Sequence, residues 1–309
     1  MADPRASYTL GPNQYGKAEV RLVRVDRDTL RHRVTDLSVT SQLAGDFTAA
    51  HTSGDNAHVV ATDTQKNTVY AFARDGVGAP ETFLLRLADH FTGSFAWVTG
   101  GRWAAEQYAW SRIPTSTAPE GHDHAFSRDG AETRTALVVR DGDATTVLAG
   151  LKDLVVLKST GSEFAGFPRD EYTTLADTDD RILATSVTAR WRYAGSVPAS
   201  FGADRYDSAY ATVRAAMLDA FAATYSLALQ QTLYAMGAAV LDSVPEIAEI
   251  RFSMPNRHHF LVDLAPFGLD NPGEVFYAAD RPYGLIEAAV LRDDADAAEP
   301  VWAAAAGFC

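Results

Sequence analysis

Between Gly54 and Tyr70 an apolar run, Val59-Val60-Ala61, ends in a hydroxyl and a carboxylate, Thr62 and Asp63, and a helix-compatible segment follows from Thr64 or Gln65. Polar groups set where a strand gives way to a helix are held by rigid backbone beside unpaired amide N–H groups, which suits them to meet a ligand. Taken alone, Asp63 or Thr64 reads first as a plain N-cap. Asn256 and His258 stand two apart on a predicted strand and so share a face, whereas the neighbours His258 and His259 point to opposite faces, so that at most one of them joins a given site. His122-Asp123-His124 has the look of a metal tract, but it lies in a Pro- and Gly-rich loop with no Cys or Glu cluster beside it, and a loop or hydrogen-bonding role is expected there. No Walker loop, Gly-x-Gly-x-x-Gly or Gly-x-Ser-x-Gly occurs, and the lone cysteine, Cys309, is the last residue.

The elements that must position these groups come in two similar series. Residues 19–25 and 33–43 alternate as half-buried strands. Residues 65–73 form a short helix and 81–91 a stronger one, with Phe83, Leu84, Leu87 and Phe91 on one face. Residues 95–110 and 125–139 are two more strands, joined by a turn-rich loop through Pro114, Pro119 and Gly121. The order then recurs. Residues 145–158 make a strand pair or one long bent strand, and 181–193 make another strand. Residues 207–223 and 226–241 are amphipathic helices, the second with Leu229, Leu233, Met236 and Val240 in phase. Residues 250–264 and 284–291 are strands. The turn at Asp141-Gly142-Asp143 divides the chain into domains 1–143 and 144–309. Both are α+β, with antiparallel sheets covered by helices on one face. Open sheet edges make an oligomer attractive.

Composition narrows the function classes. The chain has 309 residues, 47% hydrophobic and 22% charged, enough for a sizeable core. A net charge of −13 argues against nucleic-acid and anionic-membrane partners, and requires that any anionic ligand be met by a local cation. One cysteine allows no internal disulfide. With no apolar leader, no membrane-length run and no Ser-Lys-Leu tail, a cytoplasmic protein is expected.

Several motifs then fall in one order: Tyr15-Gly16-Lys17; the run through Val60-Ala61-Thr62-Asp63; Val156-Leu157-Lys158-Ser159-Thr160; Phe164-Ala165-Gly166-Phe167; Asp180-Arg181-Ile182-Leu183-Ala184-Thr185; Gln230-Gln231-Thr232-Leu233-Tyr234; Met254-Pro255-Asn256-Arg257-His258-His259-Phe260; and Asp280-Arg281-Pro282-Tyr283-Gly284. Together they resemble the urate oxidase (uricase) family, of the bacterial type, over roughly residues 13 to 309. The resemblance implies two tandem tunnelling-fold (T-fold) domains whose sheets join across subunits into a barrel-like homotetramer.

It also implies residue roles. Phe164 would stack on a planar anionic purine, Arg181 grip its anionic edge, and Gln230 read the neighbouring edge. Backbone groups of Thr62, Asp63 and Leu229 would complete the binding. Lys17, its pKa lowered, would act with Thr62 as the base. Asn256 with Thr62 would hold O2 or water above the ring, and His258 would relay protons. Neither cofactor nor metal is implied: urate, once deprotonated, reduces O2 itself and yields 5-hydroxyisourate and hydrogen peroxide. Taken singly, Phe164 also reads as a core aromatic, Arg181 as an ion pair with Asp179 or Asp180, Gln230 as a solvated helix position and Lys17 as a solvated charge. A pterin-acting relative of the same fold and a non-enzymatic purine carrier are the competing readings.

Overall fold

In a computed structural model, residues 8–195, 203–279, 281–296 and 298–305 are described; Asp280 and Cys309 lie outside them. The chain forms two compact units, the first from Met1–Arg128, Thr135–Leu148 and Gly195–Tyr206, the second from Asp129–Arg134, Ala149–Ala194 and Asp207–Cys309.

The first unit carries β1 (Tyr15–Asp26), β2 (Arg33–Gly45), α1 (Thr48–Ser53), α2 (Thr62–Arg74), α3 (Pro80–Ser94) and β3 (Val98–Arg112), followed by β4 (Phe126–Asp141), in the sheet order β1-β2-β3-β4. β4 and β5 (Ala144–Lys158) each supply residues to both units. β2 pairs antiparallel with β1 on one side and β3 on the other. Its alternate residues Leu37, Val39, Ser41 and Leu43 are fully buried, which marks the face the helices cover. α3 opens with Pro80 at a position where its missing N–H costs nothing, and it buries Phe83, Leu84, Leu87, Ala88 and Phe91. Each of these larger side chains contributes about 1.5–3 kcal/mol by leaving water.

The second unit carries β6 (Leu183–Tyr193), α4 (Ala203–Ala223), α5 (Leu229–Ser243), β7 (Ile247–Asn256) and β10 (Gly284–Leu291), in the sheet order β5-β6-β7-β10. β7 pairs antiparallel with β6 and with β10. A two-stranded sheet of β8 (His259–Leu261) and β9 (Phe276–Ala278) stands apart, and α6 (Glu299–Ala303) follows. α5 buries Leu229, Leu233, Met236 and Val240, the phase its sequence predicts. β5 is one long strand, and its Asp153 takes φ +61°. In β1, Glu19 takes φ +55°, so the first strand of each series contains one non-glycine residue in the left-handed region.

Three expectations need correction. The 57–61 segment is a turn followed by irregular backbone, not a strand, and α2 begins at Thr62 itself. The predicted strand 250–264 breaks after Asn256: the Arg257 amide bonds to the Ala184 carbonyl at 2.8 Å, and the chain then enters the separate β8–β9 sheet. α1 and α6 have no counterpart among the elements predicted from the sequence. Among the described residues no helix is long and apolar enough to cross a membrane.

Candidate active site

The first unit presents Lys17, Thr62 and Asp63. One extra residue in β1 shifts the register between Lys17 and Val20, and the Glu19 amide donates to Thr40 Oγ1 at 3.0 Å within that bulge. The bulge changes the phase of the strand. Lys17 then lies opposite Ser41 and on the same face as buried Val20 and Leu22, the face α2 covers. Gly16 is required beside it, since a Cβ there would come within 1.8 Å of the Ser41 carbonyl oxygen.

Thr62 is the first residue of α2. Its N-cap is Ala61, which makes no side-chain cap bond, so neither Asp63 nor Thr64 is the cap. The amides of Thr62 and Asp63 belong to the first helical turn, where no intrahelical carbonyl is available. The exposed Asp63 carboxylate is occupied by the Lys66 ammonium and by Asn67 Nδ2 at 2.9 Å. Lys66 holds its carboxyl below the usual range, with smaller help from Asn67 and from the Lys17 charge. Asp63 thus has its backbone, and not its carboxylate, free for a ligand.

In the second unit, a cavity of about 480 Å³ is lined by Phe164, Arg181, Asn256, His258 and also His259. Short backbone bonds fix its wall. Phe164 exchanges bonds with Thr178 at 2.9 and 3.0 Å, the Arg181 amide donates to the Ser162 carbonyl at 2.9 Å, and Glu163 donates to the Ser226 carbonyl at 2.8 Å. The Arg181 guanidinium lies 5.2 Å from the centre of the Phe164 ring, which in turn stacks on Phe167 at 5.0 Å. Phe164 is half-buried, not a core aromatic.

Arg181 makes no ion pair among the described residues, and its Nε is buried without a hydrogen-bond partner. The nearby carboxylates are engaged elsewhere, Asp180 by Thr160 Oγ1 at 2.9 Å and Asp177 by Arg169 at 3.3 Å. Burial pushes the guanidinium's pKa down. His258 is likewise pushed below the ordinary imidazole value, first by burial and then by the charges of Arg181 and His259, which favours the neutral ring near pH 7.

Asn256 ends β7, held between Thr185 of β6 and Gly284 of β10. It and His258 do not share a strand face, because the strand stops at Asn256. The same break lets both His258 and His259 reach the cavity, which a continuous strand would forbid. Sequence reasoning therefore missed His259. Leu229 and Gln230 do not line this cavity. They are the first two residues of α5, Leu229 buried and Gln230 exposed with no hydrogen bond to its carboxamide among the described residues. Gln231 turns back to accept the Leu227 amide at 2.8 Å, which fixes that helix start. The segment before it is tied to the cavity wall through Ser226, whose amide donates to the Gly161 carbonyl at 3.0 Å.

The tract His122-Asp123-His124 sits in the β3–β4 loop. Asp123 pairs with Arg31 at 3.3 Å, and His122 Nδ1 accepts the His124 amide. Among the described residues no group of three His, Cys, Asp or Glu side chains is placed to hold a metal ion.

A family model for uricases matches residues 13–139 and 147–287. This chain belongs to the uricase family. It is 64% identical to a uricase of Arthrobacter globiformis over 97% of its own length and 95% of that protein's. It is 37% identical to a uricase of Dictyostelium discoideum, over 92% and 98%. The crystal structure of the Arthrobacter globiformis uricase superposes with a TM-score of 0.90 at 62% identity, covering 96% of this chain and all of that one. The uricase fold, α+β with antiparallel sheets and helices in the tunnelling arrangement, is the one its motifs imply. The chain is accordingly a uricase-family enzyme.

Proposed function

We propose that the chain oxidises urate with O2 and water to 5-hydroxyisourate and hydrogen peroxide, with no cofactor and no metal. The observation that carries this reading is Arg181: a partly desolvated cation, stacked on Phe164 and without an anionic partner among the described residues, in a protein with 40 acidic and 27 basic side chains. Such a site has a place for a flat anion. Phe164 stacks on the purine, Arg181 takes its anionic edge with two parallel bonds, and the Gln230 amide reads the adjoining edge. The backbone at Thr62, Asp63 and Leu229 supplies the remaining contacts.

Lys17 withdraws a proton through the Thr62 hydroxyl. The electron-rich urate dianion passes one electron to O2, held with water by Asn256 and Thr62, and the two radicals combine as a ring hydroperoxide. Loss of peroxide and addition of water complete the turnover, with His258 carrying protons to the base pair. Atoms balance as urate, O2 and water in, and 5-hydroxyisourate and hydrogen peroxide out. The family membership supports urate as substrate.

We further propose tandem T-fold domains 1–143 and 144–309, assembled as a homotetramer. Lys17 and Thr62 of one copy then meet Phe164, Arg181 and Gln230 of another. A chain with one cysteine forms no internal disulfide, which suits the cytoplasm.

The test is ultraviolet loss of urate with peroxide release, run on dialysed protein with a chelator present. One peroxide per urate, unchanged by the chelator, is expected. Activity that disappears with the chelator, or that needs added flavin, would contradict the reading.

A further inference from the structure

The buried face of α2 consists of Gln65, Val69 and Ala73. Against a sheet face of Leu37, Val39 and Leu43, an apolar side chain at position 65 would pack without needing any hydrogen bond. Gln65 is instead a fully buried amide, and Ser41, also fully buried, faces it. Both ends of the amide are used. Its Oε1 accepts the Ser41 hydroxyl at 3.0 Å, and its Nε2 donates to the Val60 carbonyl at 3.4 Å. That carbonyl also accepts the Tyr15 phenol at 3.0 Å, so both its lone pairs are taken.

The path of these bonds has a meaning. Ser41 is the cross-strand partner of Lys17, and Tyr15 precedes Lys17 by two residues on β1. The bonds leave the strand pair at Ser41, cross to α2 at Gln65, pass to the turn at Val60 and return to β1 at Tyr15. They begin and end on either side of Lys17, and they enclose the turn that delivers Thr62. A buried polar network with every member satisfied fixes one geometry where apolar packing would tolerate several.

We infer that Gln65, with Ser41, is a positioning pair that sets the Thr62 hydroxyl at the Lys17 amine. This rests on the roles of Lys17 and Thr62 proposed above. Gln65 itself touches no substrate in that scheme. It acts by holding the Val60–Thr62 turn with two bonds where Tyr15 alone would leave one.

The experiment compares Gln65→Leu and Ser41→Ala with the unaltered full chain. Each variant is checked for folding by circular dichroism and for assembly by size. The expected result is a kcat lower by about tenfold to a hundredfold, the penalty of a small misplacement of reacting groups, with the KM for urate nearly unchanged. In a Thr62→Ala background, Gln65→Leu should lower kcat no further, because the hydroxyl it positions is gone. Amide hydrogen exchange at residues 61–64 should quicken by about tenfold in Gln65→Leu, a readout independent of urate. An unchanged kcat in a folded variant, or an equal further loss in the Thr62→Ala background, would overturn the inference. If Gln65→Leu does not fold, Ser41→Ala carries the same expectations and the same refutation. Should the unaltered protein fail to oxidise urate, the proposed function falls, while the exchange result still decides whether the clamp exists.

Discussion

Arg181→Ala is expected to weaken urate binding by about 2–5 kcal/mol, which is about thirtyfold to several thousandfold in dissociation constant. The size follows from what the guanidinium does. Among the described residues it has no carboxylate partner, so in the proposed scheme the ligand would supply its anion. Its removal orphans no other side chain of the protein, because it makes no side-chain hydrogen bond or ion pair among the described residues. Folding should survive, and the loss should appear in binding. Arg181→Lys should recover little, since an ammonium cannot make the two parallel bonds of a planar fork. Equilibrium binding of urate under nitrogen, where no turnover occurs, measures this directly. Near-normal affinity in Arg181→Ala would remove the anion-gripping role.

Lys17→Met is expected to lower kcat by about a hundredfold to ten-thousandfold while leaving urate affinity close to normal. The residue lies on the helix-covered face only because β1 bulges between Lys17 and Val20. A half-buried charged residue on the helix-covered face of the sheet, opposite a buried serine, is poorly explained as a purely solvated surface group. Lys17→Arg should fail as well, because a guanidinium does not give up its proton at working pH. Steady-state rates for both variants separate the two parameters. A Lys17→Met enzyme with full kcat would show that the base lies elsewhere.

Much of this was legible because the helices are strongly periodic. α3 and α5 bury the residues their spacing marks, and β10 occupies the span 284–291 expected as a strand. The binding residues were legible only through the order of motifs. Phe164, Arg181 and Asn256 have no local pattern that sets them apart, and single residues of these types more often serve packing or solvation. What failed had no short-range signal. Val59-Val60-Ala61 is too short for its apolar character to distinguish a strand from a buried turn; Val60 is buried, yet its carbonyl is held by Tyr15 and Gln65 and not by a ladder. β7 ends at Asn256 because Arg257 finds Ala184, more than seventy residues back. α6 is anchored by the Trp302 indole bonding to the buried Glu249 carboxylate at 2.9 Å, again a distant partner. The bulge that turns Lys17 inward rests on Glu19 in a left-handed conformation, for which its residue type offers no cue.

In the proposed assembly the site is built from halves contributed by two copies of the chain. The most direct test of this mixes two inactive proteins. Lys17→Met and Arg181→Ala subunits, co-expressed and purified as one assembly, should regain about a quarter of normal activity, the fraction of interfaces in which an intact Lys17 meets an intact Arg181 by random pairing. A mixed assembly as inactive as either parent would contradict the account, because it would mean that each chain completes its site alone.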